Sequence, residues 1–262
     1  MRDLLLAAAG LCLSTAVALA FVTLAPVSLH DKKHRQIITM PTFVQRLRVA
    51  DLLICIPLYI VLASFALYGT YELAQIGTVD ARWAQQTKST YWFQVLYVMR
   101  MLTHLPIQWV SLKDTPTMRL QMTLHHLLSA ACFGGGLLTG RLHFWATFDG
   151  CCEVTTIFLM ILETIRSFAP KDAYFAAEAI SGLSLWLSFV IFRIVLFPVW
   201  LYVFYSDVYT HPEHTWDTAF WVEKWCYPAV TLFLLVLSCM WMVPLTKGCL
   251  KALGLAGKSK DR

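Results

Sequence analysis

A chain of 262 residues in which 58% are hydrophobic and only 14% are charged lies outside the composition of soluble domains, whose charged share is about a quarter, so water is excluded as its main solvent. The net charge of +5 does not point to nucleic acid, because the Lys and Arg residues cluster in short segments between apolar runs, where they meet lipid headgroups or set topology. Eight cysteines lie mostly inside apolar runs without any C-x-x-C spacing, which reads as free packing thiols and not as a metal or disulfide framework.

A helix needs about 20 mostly apolar residues to cross a hydrocarbon core of roughly 30 Å. Seven runs answer to that requirement, over 4–29, 52–70, 91–110, 122–138, 144–162, 183–205 and 227–243. Strand alternation is absent, and open strands cannot span lipid because their edge groups stay unsatisfied. The expected fold is therefore all-α, a polytopic membrane bundle of about seven transmembrane helices. The first run has features of a cleavable signal, with Arg2 ahead of an apolar stretch that includes Ala18-Leu19-Ala20. It continues to residue 29 and is followed at once by Lys32, Lys33 and Arg35, so it is read as a retained span. In the fourth run, Gly134-Gly135-Gly136 either ends the helix or lets a neighbour approach closely.

Alternate loops differ in basic charge. Fourteen Lys and Arg residues fall on the side of 30–51, 111–121, 163–182 and the C-terminal tail, and five on the other. The richer side is expected to be cytosolic, which puts the N-terminus in the lumen, the tail in the cytosol and the acidic loop with Asp207, Glu213, Asp217 and Glu223 in the lumen. The last five residues place Lys258 and Lys260 in a K-x-K-x-x pattern, a dilysine-type retrieval address read by coat proteins on cytosolic tails. The expected location is the endoplasmic-reticulum membrane.

An unpaired charge at the bilayer centre costs at least about 2.5–3.5 kcal/mol, so ionisable residues within the runs are the informative ones. Arg100 and His104 are four apart and share a helix face. Asp149, Glu153 and Thr156 recur at i, i+4 and i+7, and Arg193 lies seven residues after Trp186 and five before Pro198. Two arginines and two carboxylates suggest an internal paired network. His125 and His126 are adjacent and project about 100° apart on a helix, with His125 on a stripe with Gln121 and Ser129 that suits a polar interior.

Three roles are open to the histidines: structural hydrogen bonding, acid–base or acyl-transfer chemistry oriented by Asp149 or Glu153, and metal ligation. Metal is disfavoured because helical ligands to one ion usually stand at i and i+4, and no metal site or bound cofactor is expected. Trp83, Trp92, Trp216, Trp221 and Trp225 lie near run ends and read as an interfacial aromatic belt.

Three segments resemble the TLC-domain family, which includes ceramide synthases, translocation-associated membrane proteins and lipid-regulating proteins. Leu124-His125-His126-Leu127 is similar to the L-H-H core of the synthase signature, Glu153-Val154-Thr155-Thr156-Ile157-Phe158 to an E-x-S/T-T-x-F segment of the non-synthase branches, and Phe192-Arg193-Ile194 with Pro198 to a late R-x-x-x-x-P pattern. The resemblance implies a first helix with a basic loop over 1–44, a TLC domain over 45–245 and a basic tail over 246–262, the domain forming a bundle around a central lipid-accommodating cavity. His125, His126, Asp149 and Glu153 would be its catalytic candidates, and Arg100, His104, Thr156, Trp186 and Arg193 its lipid-binding ones. Where the synthase signature continues as H-D-x-x-D, this chain reads Phe148-Asp149-Gly150-Cys151-Cys152-Glu153, which favours the lipid-handling branches. The expected function is membrane-lipid or sphingolipid homeostasis through a bound acyl lipid. The alternatives are an acyl-CoA-dependent N-acyltransferase acting on a sphingoid base, and a cargo receptor or translocation helper.

Overall fold

A computed structural model describes residues 2–24, 29–31, 36–38, 42–111, 116–168 and 175–252. The helices are α1 (Arg2–Leu24), α2 (Phe43–Ile76), the short α3 (Val79–Ala84), α4 (Lys88–Ser111), α5 (Pro116–Thr139), α6 (His143–Gly150), α7 (Glu153–Phe168), α8 (Phe175–Phe189), α9 (Leu196–Thr210) and α10 (Trp221–Ala252), with a π-helical turn, Val190–Val195, joining α8 to α9. Six of the seven apolar runs fall inside this helical framework, α6 and α7 sharing the fifth and α8 to α9 the sixth, and the first run begins in α1. The chain is an all-α membrane bundle. One small departure is a ribbon in the α1–α2 link, where β1 (Leu29–Asp31) pairs antiparallel with β2 (Gln36–Ile38), Leu29 opposite Ile38.

Arg2–Leu24, Phe43–Ile76, Phe175–Thr210 and Trp221–Lys251 are long and apolar enough by themselves to cross a membrane. α4, α5 and the α6–α7 pair are less apolar because they carry Arg100, His104, the two histidines and the two carboxylates. At 24 residues each, α4 and α5 extend about 36 Å, ample for a crossing.

Local chemistry sets the boundaries. Thr42 caps α2 in a reciprocal box: Gln45 N–H donates to Thr42 Oγ1 at 3.4 Å, and Thr42 N–H donates to Gln45 Oε1 at 2.7 Å. Gly77, at φ 74°, closes the helix in the left-handed conformation that glycine adopts without penalty. This start places eight residues of α2 ahead of Asp51 and carries that side chain into the bundle. Between α8 and α9, the ring of Pro198 conflicts with the carbonyl four residues earlier, Ile194, and supplies no N–H to it; the ladder widens there into the π turn.

Aromatic side chains form a large part of the core. Trp145 meets Trp200 at 5.1 Å between ring centres and Trp200 stacks on Phe204 at 4.9 Å, with the Trp200 indole N–H donating to the Trp145 carbonyl at 2.9 Å. Trp83 belongs to this core and not to an interfacial belt: it is 1% exposed, and its Nε1–H donates to Asp207 Oδ2 at 3.1 Å. Arg82 grips the same carboxylate through Nε at 2.7 Å and Nη2 at 2.5 Å, so the residue next to Trp83 explains why that indole is pulled inward. Trp92, Trp221 and Trp225 remain exposed.

Three glycines set helix spacing, the first being Gly69 of α2, where a Cβ would lie 2.7 Å from Thr90 Cγ2 of α4. α5 runs through Gly134-Gly135-Gly136 without ending, and of the three only Gly136 is crowded: a Cβ there would lie 2.8 Å from the Tyr227 hydroxyl and 2.9 Å from Gln94 Oε1. At the α6–α7 joint, a Cβ on Gly150 would lie 2.0 Å from Phe93 Cζ. Gly150→Ala is therefore expected to lower thermal stability in detergent by the 1–3 kcal/mol typical of overpacking, about that much being regained when Phe93→Leu is added. A double variant no more stable than the single one would show that the ring contact is not the cause.

Candidate functional site

Polar side chains that the bundle removes from lipid gather in two linked groups. The first joins α2 and α4. Arg100 is 2% exposed; its Nη1 donates to Asp51 Oδ1 at 2.9 Å and its Nη2 to Asp51 Oδ2 at 3.3 Å. Nη2 also reaches Cys55 Sγ and His104 Nδ1, each at 2.7 Å, while the Tyr59 ring lies 5.8 Å from Cζ. Guanidinium nitrogens only donate, so His104 Nδ1 accepts from Arg100. The 3.2 Å approach of Asp51 Oδ2 to that nitrogen follows from both atoms sharing one cation. The expected pairing of Arg100 with Asp149 or Glu153 is thus corrected: its counter-ion is Asp51, which stands one residue ahead of the second apolar run. The signal that could have revealed it is the Thr42–Gln45 capping box, which starts the helix early enough to bury Asp51.

The histidines of α5 are both interior, at 6% and 5% exposure. Their divergence divides them between neighbours. His126 turns to α4, its Nδ1 2.7 Å from Met101 Sδ and its ring edge-on to His104 at 5.6 Å. His125 turns to α10 and the π turn, 6.2 Å from the Trp241 ring and within electrostatic reach of Arg193. The rings lie 5.1 Å apart. Neither histidine is bonded to Asp149 or Glu153 among the described residues, which corrects the expectation that a carboxylate orients them.

The second group assembles around Arg193, which the π turn holds inside the bundle. Its Nε donates to Thr155 Oγ1 at 2.9 Å, its Cζ lies 5.3 Å from the Phe189 ring centre, and its charge acts on Asp149 and Glu153 as well as on His125. Asp149 and Glu153 do not share one continuous helix, as their i, i+4 spacing suggested. Asp149 is near the end of α6 and Glu153 opens α7, across a tight turn at Cys151–Cys152 in which Cys152 N–H donates to the Asp149 carbonyl at 3.2 Å. Glu153 Oε1 lies 3.9 Å from Cys152 Sγ, with the hydroxyls of Thr156 and Tyr97 near its carboxylate, and Ser129 on the His125 stripe of α5 is near Tyr97. Trp186 is turned away to α10, where its indole N–H donates to Thr246 Oγ1 at 3.0 Å.

Among the buried polar atoms without a protein partner are His125 Nδ1, His126 Nε2, Asp149 Oδ1 and Arg193 Nη1. A buried polar atom left unsatisfied costs about 1–3 kcal/mol, so this region is poised to bond a polar group brought by a ligand. A cleft of about 500 Å³ lies elsewhere, lined by Leu13, Ser14, Val17, Ala18 and Leu53 of α1 and α2, and none of these polar residues borders it. Met101, which holds His126, carried no sequence signal, being an ordinary occupant of an apolar run, whereas Thr155, which holds Arg193, fills the S/T position of the 153–158 segment. No group of three or more His, Cys, Asp and Glu side chains suited to a metal ion occurs among the described residues. Lys258 and Lys260 lie outside the described residues.

The family model described as TLC domain matches residues 48–247. No curated protein and no solved structure gives a significant match.

Removing one partner of the Asp51–Arg100 pair strands a buried charge, for which the cost is typically 3–5 kcal/mol. Asp51→Asn should therefore unfold in detergent at a clearly lower temperature than the wild type, and Asp51→Leu with Arg100→Met should recover most of the loss. A double variant as unstable as Asp51→Asn would mean that the stability comes from packing and not from charge pairing.

Proposed function

We propose that this chain, which belongs to the TLC-domain family, serves membrane-lipid homeostasis by holding the polar end of an acyl lipid among His125, His126, Asp149, Glu153 and Arg193. The observation that carries this reading is that His125 Nδ1, His126 Nε2, Asp149 Oδ1 and Arg193 Nη1, on α5, α6 and the π turn, are among the buried polar atoms without a partner. Charge composition narrows the ligand. Asp51 and Arg100 balance each other, whereas Arg193 faces two carboxylates, Asp149 and Glu153. An amine or a hydroxyl on the lipid supplies the missing hydrogen-bond donor to that excess, which suits a sphingoid base or a ceramide-like headgroup. Arg100 and His104 support the wall from behind, Thr156 fixes Glu153, and Trp186 braces α8 against α10.

Protein purified in mild detergent is expected to carry acyl lipid detectable by mass spectrometry, and His125→Ala and Arg193→Lys, which keeps the charge that Asp149 and Glu153 face, to lose most of it while staying folded. Wild-type protein free of lipid after gentle purification would overturn the reading.

The second reading is an acyl-CoA-dependent N-acyltransferase, favoured by the unpartnered Nε2 of His126, which is placed to accept a proton from a substrate amine. Against it stands the lack of a carboxylate partner to stabilise the imidazolium that such a step forms. Membranes incubated with acyl-CoA and a long-chain base distinguish the two: product formed by the wild type and lost in His126→Ala supports turnover, whereas background product in both leaves binding alone.

We place the protein in the endoplasmic reticulum with a lumenal N-terminus and a cytosolic tail, supported by the loop charge asymmetry and the Lys258/Lys260 pattern, coat proteins being the partners that would read the tail. Lys258→Ser with Lys260→Ser should move a tagged protein to later compartments. Unchanged localisation would remove the retrieval role.

A further inference from the structure

We infer that Met101 is a positioning residue that fixes the tautomer of His126 and thereby decides which nitrogen faces the bound headgroup. The inference deepens the lipid-binding reading and rests on it for the identity of the ligand, but its central claim concerns one proton on one ring.

His126 Nδ1 lies 2.7 Å from Met101 Sδ. A thioether sulfur has lone pairs and no hydrogen, so it can only accept, and the contact is attractive only if Nδ1 carries the hydrogen. A neutral imidazole has one N–H. Nε2 is then left with its lone pair exposed to the interior, and Nε2 is the ring atom that has no protein partner. A doubly protonated ring would place a second cation beside Arg100, whose counter-ion Asp51 is already shared with that guanidinium. His104, held through its own Nδ1 by Arg100, stands edge-on to His126 and limits its rotation. α4 thus supplies both constraints from consecutive residues, Arg100 through His104 and Met101 directly.

The consequence is directional. His126 presents an acceptor to the ligand, so it recognises an O–H or N–H of the headgroup. If that proton is transferred, it passes to Nε2 and yields an imidazolium that keeps Nδ1–H on sulfur. A carboxylate in place of Met101 would stabilise that cation strongly; a thioether does so weakly. The site is built to accept a hydrogen bond more readily than to store a proton.

Protein labelled with ¹⁵N-histidine, with the His126 signals assigned by their loss in His126→Gln, tests this by NMR. The wild type should show Nδ1 protonated and Nε2 bare. Met101→Leu keeps the volume but removes the acceptor, and should shift His126 toward the other tautomer or a mixture while reducing retained lipid by roughly two- to fivefold, the effect of one weak hydrogen bond. A wild-type ring protonated on Nε2, or a tautomer identical in Met101→Leu, overturns the inference. Should the tautomer respond as stated in protein that never carries lipid, the positioning role of Met101 stands and the proposed ligand falls.

Discussion

A guanidinium keeps its proton in any environment a protein offers, so a chain that places two arginines midway along its apolar helices must bring compensating groups to them. This requirement organises the bundle. Arg100 obtains a full counter-ion from α2, together with a thiol and an imidazole, and only its buried Nε is left without a partner. Arg193 obtains a hydroxyl and shares its charge with two carboxylates, leaving Nη1 unbonded. The first arrangement suits a structural tie between α2 and α4. The second has no bidentate counter-ion of its own, and that asymmetry distinguishes the two groups.

Irregular backbone accompanies the second arrangement. Arg193 lies in the π turn that Pro198 imposes, and Asp149 and Glu153 flank the turn that divides α6 from α7. Regular helices would carry these side chains at fixed 100° intervals; a widened turn on one side and a tightened joint on the other re-aim them toward α5. Gly150 allows Phe93 of α4 to press against the joint, so an aromatic contact supports the backbone departure that the polar site uses. Departures from ideal geometry are concentrated where polar groups converge, while Trp145, Trp200 and Phe204 pack a regular aromatic core beside them.

Much of this was legible in the sequence, for reasons that differ from residue to residue. The helices could be read because lipid demands long apolar runs, and the identities of Arg100, His125, His126, Asp149, Glu153 and Arg193 stood out because each is costly in such a run. Their pairing could not be read, since it depends on which helices become neighbours. Charge counting matched two arginines with two carboxylates inside the runs and passed over Asp51, which sits just outside one run but inside the helix. Trp83 illustrates the same limit. Position near a run end suggested an interface, whereas the buried Asp207 carboxylate, gripped by Arg82, draws the indole into the core. Adjacent histidines looked unable to share a centre, and the structure agrees in a useful sense: they face different neighbours and offer different nitrogens.

That last division bears on binding versus turnover. Acid–base catalysis gains most when the histidine that takes a proton has a carboxylate behind it to stabilise the resulting cation. Here the carboxylates lie near Arg193 and Tyr97, and His126 is backed by sulfur. His125 has Trp241 and the Arg193 side chain as neighbours, and no carboxylate is bonded to it. Both imidazoles are thus arranged to remain neutral hydrogen-bonding groups, and the carboxylates to meet a donor. Hydrogen-bonding imidazoles beside buried carboxylates fit the proposed binding role better than a proton-transfer role, because neither ring is backed by a carboxylate.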